Sequence, residues 1–269
     1  RLPMMTRAQR ATYRTASLLA VTAMCAGCTT GTSRGPPSGS SPAGQHAAVI
    51  TVGSFDFPES TVLADIYGDA LTAKGFPIRI LPNLGSRELV DPALMRGLIQ
   101  VVPEYAGSAL QFISLGRLSA TADVMATNKA LAELTAGQGV VAGLPATAQN
   151  ANVIVVRPAT ASRYHLRSIA DLAQVAPRLV FGGPPECPGR AYCLPGLRQS
   201  YGLRFKSFIP LDAGGPLTLQ ALEAGNIDVA LLFSTDPSIS ARHLVVLADD
   251  RRLQPAENIT PLVSRDAVA

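Results

Sequence analysis

Three short apolar runs, 48–53, 76–81 and 98–102, alternate with two stretches of helical periodicity, and that spacing leaves few folds open to the chain. The order βαβαβ with short connections is the signature of a parallel sheet with crossover helices. The first helix is predicted from Pro58, with Glu59 in its first turn, to about Lys74 before Gly75. Its core face should carry Val62, Leu63, Ile66, Ala70 and Leu71. Ser86 is expected to cap the second helix, which carries Leu89, Val90, Ala93 and Leu94. Pairing of the third strand should stop at Pro103, which has no N–H for a ladder. That leaves Glu104 and Tyr105, with Ser108 just beyond, where a strand of an open α/β sheet meets a helix N-terminus. Small molecules bind at such edges, although a ring there equally suits a plug on top of the core.

The pattern then repeats. A mostly helical stretch, 114–137, and an extended piece, 140–146, lead to the β-branched strand 153–156. Ser168-Ile169-Ala170-Asp171 reads as a capping box opening a helix, followed by a strand, 179–181, that runs into Gly182-Gly183-Pro184-Pro185. Beyond these come a helix near 197–201, a strand near 205–211, a helix over 217–224 and a strand over 227–233 that ends on Ser234-Thr235-Asp236. These make a second α/β unit, and short extended pieces come after it at 244–247 and 261–263.

Residues 1–27 read as an export signal: four arginines without an acid, then an apolar run, 16–27, too short to span a bilayer. Its end, Cys25-Ala26-Gly27-Cys28, resembles the lipobox of bacterial lipoproteins, in which Cys28 is acylated and becomes the mature N-terminus, though Cys25 stands where an aliphatic residue is usual. Cleavage near Ala26 to give a plain secreted protein is the other reading. Residues 28–47, rich in Gly, Ser, Pro and Thr, form a tether that cannot bury enough apolar surface to fold. The net charge of +4 disappears with the leader: without Arg1, Arg7, Arg10 and Arg14 the 23 basic residues fall to 19, against 19 acids. No basic surface calls for nucleic acid as a partner.

Cys187 and Cys193 are left in the globular part and, outside the cytosol, are expected to form a disulfide. His46, His165 and His243 are too scattered to complete a zinc site, so no metal is expected. The glycine pairs 182–183 and 214–215 match no phosphate-binding loop, and Asp212 reads as a turn and helix-cap residue. Ser54 and Ser108 have no evident base, and Asp249-Asp250 with Arg251-Arg252 reads as a charged surface turn. Neither catalysis nor a cofactor is expected.

Six motifs occur in the order found in glycine betaine/choline/carnitine (osmoprotectant) substrate-binding proteins of ABC transporters, which the chain resembles from about Val49 to Val263. They are Val52-Gly53-Ser54 with Pro58-Glu59-Ser60, Leu84-Gly85-Ser86-Arg87-Glu88, Pro103 to Ser108, Phe181-Gly182-Gly183, Pro195-Gly196-Leu197 and Phe233-Ser234-Thr235-Asp236. The resemblance implies a type II periplasmic-binding-protein fold, two α/β lobes joined by two crossing strands. Lobe one would be 48–150 with a return over 243–269, and lobe two 151–242. In that family a cage of aromatic rings surrounds a quaternary ammonium by cation–π attraction, while basic or hydroxyl groups hold a carboxylate.

Carried over, Tyr105 and Phe233 are cage walls, Ser108 a hydroxyl ligand and Arg190 the carboxylate-binding residue. Phe55, Asn152 and Glu257 stand where relatives carry a Lys, a cage Tyr and a cage Tyr. Phe55 could replace a wall and Glu257 could attract a cation, while a polar pocket for another solute fits equally. The resemblance also implies closing helices of lobe one after the last strand, which this sequence does not supply. The function implied is that of a monomeric solute-binding lipoprotein, anchored on the extracytoplasmic face of the cell envelope, serving the permease of an ABC importer. A sensing or adhesive lipoprotein and an envelope hydrolase or transferase are the alternatives.

Overall fold

A computed structural model describes residues 48–268. The expected leader, lipobox cysteine and tether lie outside the described residues.

The first lobe is built from β1 (Ile50–Gly53), α1 (Pro58–Thr72), β2 (Ile78–Leu81), α2 (Arg87–Met95), β3 (Val101–Tyr105), α3 (Ala106–Ile113), α4 (Val124–Ala136) and β4 (Val140–Ala142). The second continues with β5 (Asn152–Val156), α5 (Pro158–Tyr164), β6 (Val180–Gly183), α6 (Leu194–Tyr201), β7 (Ser207–Pro210), α7 (Pro216–Ala224), β8 (Val229–Phe233), α8 (Pro237–Ala241) and β9 (Val245–Leu247). A last strand, β10 (Ile259–Ser264), returns to the first. The strand orders are β2-β1-β3-β10-β4 and β7-β6-β8-β5-β9, so each lobe has a five-stranded sheet of the same pattern, four strands running one way and one, β10 or β5, antiparallel to its neighbours.

Several local expectations needed correction. Pairing does not stop at Pro103, which sits in β3 opposite Pro261 of β10. Ser264 donates to the carbonyl of Gln100 and Ala106 to that of Asn258, so the even-numbered residues of β3 carry the ladder. The two prolines therefore fall at a position where neither strand needs an N–H for the other. Val62 and Ile66 of α1 are exposed, and the buried stripe is Ser60, Ala64 and Gly68. Small residues let the helix press onto the sheet: a Cβ on Gly68 would come within 2.4 Å of Ile80 Cδ1. Asp171 does accept from the N–H groups of Ser168 and Arg167, as a capping box requires. Only short 3-10 turns come next, over Ala170–Gln174 and Ala176–Arg178. Pro177 can neither donate to Ala173 nor fit under its carbonyl, so no α-helix propagates.

The lobes are joined by two antiparallel segments. Gln149 bridges Asn258, Asn150 donates to Glu257 O at 3.0 Å, and Ile259 donates to Ala148 O at 3.0 Å. The return to lobe one comes later than residue 243. β9 pairs with β5, and Ala248 still bridges Ser168, so the chain leaves the second sheet only beyond Ala248.

Candidate functional site

The cleft is assembled from the ends of strands. In lobe one, β1 delivers Phe55 and Phe57 just before Pro58 starts α1, and β3 delivers Glu104 and Tyr105 just before α3. In lobe two, β8 ends on Phe233, β5 begins on Asn152, and the Cys187–Cys193 disulfide closes a loop carrying Arg190 and Tyr192. The expected disulfide is thus present, with its Cα atoms 5.3 Å apart and both cysteines buried. These ends enclose a cavity of about 120 Å³. Pockets for drug-sized ligands run to roughly 300–1,000 Å³, so this one suits a small solute.

Phe55, Phe57, Tyr192 and Phe233 give the cavity its aromatic walls. Phe57 is central among them, 5.9 Å from Phe55 in a parallel stack and 4.8 Å from Phe233 across the cleft. Arg87 and Arg190 face the same space, with Ser108, Gln111 and Asn152 as neutral polar groups and Asp56 and Glu186 as acids. Of the residues expected from sequence, Phe55, Ser108, Asn152, Arg190 and Phe233 meet here.

Tyr105 and Glu257 are not among the lining side chains. Tyr105 is buried, and its phenol donates to Glu59 Oε1 at 2.8 Å. Burial and the neighbouring Glu59 carboxylate raise its pKa. Glu257 is buried on the second crossing segment and accepts from Ser108, from N–H at 3.0 Å and from the hydroxyl at 2.6 Å. It faces the first turn of α3, where a carboxylate is favoured by the unpaired N–H groups. Desolvation nevertheless pushes its pKa up to about 7. The Ser108 hydroxyl is thereby committed to the protein.

Arg190 also has a partner already. Its Nη2 donates to Glu88 Oε2 of lobe one at 2.8 Å, and its guanidinium lies 5.0 Å from the Phe112 ring centroid. A second tie between the lobes centres on Glu59, whose carboxylate accepts from Tyr105, from Asn150 Nδ2 at 2.9 Å and from Thr235 Oγ1. Asn152 turns toward Gln254 Oε1 at 3.3 Å and the Tyr192 carbonyl at 3.5 Å.

Sequence reading assigned no role to Phe57, Tyr192, Glu59 or Arg87. The signal for Arg87 was there: a cation in the first turn of a helix opposes the macrodipole, so something else must hold it. Glu104 does, accepting from Nε at 2.7 Å and from Nη2 at 2.8 Å. Burial lowers the guanidinium's pKa, but Glu104 outweighs it and the net direction is up. One turn along α2, Asp91 is buried with neither carboxylate oxygen hydrogen-bonded. Desolvation and the charge of Glu104 raise its pKa well above the usual carboxylate range. Among the described residues no group of His, Cys, Asp and Glu could hold a metal ion, and no helix is long and apolar enough to cross a membrane.

The comparisons agree with the geometry. A family model described as the substrate binding domain of ABC-type glycine betaine transport systems matches residues 48–269. The glycine-betaine-binding protein of Pseudomonas aeruginosa is 26% identical over 234 residues, 83% of this chain and 74% of that protein. The carnitine transport binding protein OpuCC of Listeria monocytogenes is 27% identical over 232 residues, 82% of this chain and 72% of that protein. In fold, the chain resembles a crystal structure described as a glycine betaine/carnitine/choline ABC transporter, with a TM-score of 0.61 at 23% identity over 81% of each chain.

Proposed function

The chain belongs to the family of substrate-binding domains of ABC-type glycine betaine transport systems, and from that premise we propose that it captures a quaternary amine or zwitterion of glycine betaine, carnitine or choline size between its lobes. Family members are solute-binding proteins, not enzymes, and they serve a permease. The observation that carries the reading is that Phe57 of one lobe meets Phe233 of the other, both lining a cavity of about 120 Å³. Ring faces attract a cation that cannot donate hydrogen bonds, and they do so best when water is excluded. Phe57, Tyr192 and Phe233 take the part of the cage in this reading, and Arg190 meets a carboxylate. Tyr105 and Glu257 support the walls from behind. Both lobes come from one chain, so a monomer suffices. Cys28 anchors the protein to the extracytoplasmic face of the envelope, a reading that rests on the lipobox resemblance.

Calorimetric titration of the 48–269 domain with glycine betaine, carnitine, choline and unrelated amino acids tests the assignment. Quaternary amines should bind and the others should not. Phe57→Ala and Phe233→Ala should each weaken binding by about five- to thirty-fold, the loss of one desolvated aromatic wall at roughly 1–2 kcal/mol. Unchanged affinity in both folded variants would move the site elsewhere.

A further inference from the structure

We propose that Arg87 is a second carboxylate-binding residue, which closes from lobe one on the solute's carboxylate while Arg190 meets it from lobe two. The inference rests on the solute-binding reading above and deepens it, because it makes a carboxylate part of what the cleft selects.

Arg87 is held as a binding arginine is held. Glu104, wholly buried, takes one edge of the guanidinium through Nε and Nη2. The Phe55 ring lies 5.1 Å from its central carbon. Together these fix the plane of the group, so little rotamer entropy is left to lose on binding. Nη1 makes no hydrogen bond among the described residues, and the side chain keeps 14% exposure where it lines the cavity. A charged fork with one edge spent on the protein and Nη1 left unpaired beside a small cavity is arranged for an anion.

The surroundings point the same way. Arg190 lines the same cavity and spends only Nη2 on Glu88. Burial and the nearness of Arg87 both lower its pKa. Two guanidinia facing one small space repel each other when it is empty, and a carboxylate between them relieves that repulsion. Because they belong to different lobes, the relief is gained only on closure. Ser86 and Arg87 also bring the first turn of α2 to the cavity, adding the positive end of a nine-residue helix. Asp56 lines the cavity as well, as does Glu186, whose charge acts on Arg190.

The unmodified protein supplies the first test. Glycine betaine and its methyl ester differ in the carboxylate charge and one added methyl group, and choline lacks the carboxylate altogether. Calorimetry should find glycine betaine bound at least ten-fold more tightly than either. Equal or tighter binding of the ester or of choline overturns the clamp but leaves solute binding standing. No binding by any quaternary amine overturns both readings.

The second test assigns the effect to Arg87. Arg87→Gln leaves Glu104 buried without its partner, so it is measured beside the neutral pair Arg87→Gln/Glu104→Gln. In whichever variant melts as a folded protein, glycine betaine should lose about ten- to a hundred-fold, the cost of a charged hydrogen bond. Choline should hold or gain, since a cation near its own charge has gone. Parallel losses for both solutes, or none for glycine betaine, would make Arg87 a structural residue only. Should neither variant fold, the ester comparison alone decides.

Discussion

Glu257 is buried where its charge is poorly solvated, and that gives it a measurable signature. Desolvation lifts its pKa from 4.5 to about 7, against the two bonds from Ser108 that favour the charged form. In the unfolded chain it ionises near 4.5, so between that pH and about 7 the folded protein holds more protons than the unfolded one. Stability is therefore unaffected below pH 4.5, falls as pH rises through this window, and is lower by ~3 kcal/mol above it. Glu257→Gln should flatten much of that slope and raise the melting temperature above neutral pH. Melting curves across the window check this, and a slope equal to the parent's would shift the effect to Asp91, whose pKa moves the same way. At this scale the sequence was legible where spacing or resemblance reached a residue: Arg190 and Phe233, expected at the cleft, line its cavity, and the two readings of Tyr105 were both visible. It was not legible where a side chain depends on partners far along the chain. Tyr105 is committed to Glu59, 46 positions away, and Ser108 to Glu257, 149 positions away. No local pattern carries those pairings.

Elements were legible where periodicity agrees with packing and failed where a single residue decides. The strands of both sheets overlap the apolar runs, although β3 and β10 extend beyond theirs, and α7 starts at Pro216, one residue before the predicted Leu217. α5 was missed although Pro158 marks its first turn, because seven residues are too few to show a period. The first turn of α1 has a second use that no periodicity shows. Glu59 there collects Tyr105 from lobe one, Asn150 from the crossing segment and Thr235 from lobe two. It works as a latch between the start of α1 and the turn after β8. Thr235 is exposed, so its bond is worth about 1 kcal/mol after screening, not the 1.5–3 kcal/mol of a buried charged hydrogen bond. Thr235→Val should shift the unliganded protein toward open forms and weaken solute binding by about five-fold. Small-angle scattering without solute would show the larger radius of gyration. If scattering and affinity both match the parent, the latch does not hold the lobes.

For the whole molecule, the repeat of one α/β pattern announced two lobes, while the boundary near 243 was misread because β9 carries no mark of which sheet it joins. The packing explains why the lobes are separable. Buried apolar residues form four clusters, around Phe181 and around Leu222 in lobe two and around Leu110 and around Val52 in lobe one. None draws its buried members from both lobes. Besides the crossing segments and their neighbours, what joins them is the contact set at the cleft: Phe57 with Phe233, Arg190 with Glu88, and Glu59 with Thr235. Contacts of that kind are weak when the cavity holds only water and strong when a solute makes each lobe's residues depend on the other's. The unliganded domain should therefore unfold with a calorimetric enthalpy larger than its van't Hoff enthalpy, the mark of two partly independent units. Saturation at about a hundred times Kd should add ~2.7 kcal/mol to the folded state. For a chain of this size that is a rise of roughly 5–10 °C in melting temperature, and the two enthalpies should converge. A single transition with equal enthalpies in the absence of solute would mean that the crossing segments already couple the lobes, and closure could not be the step that the solute drives.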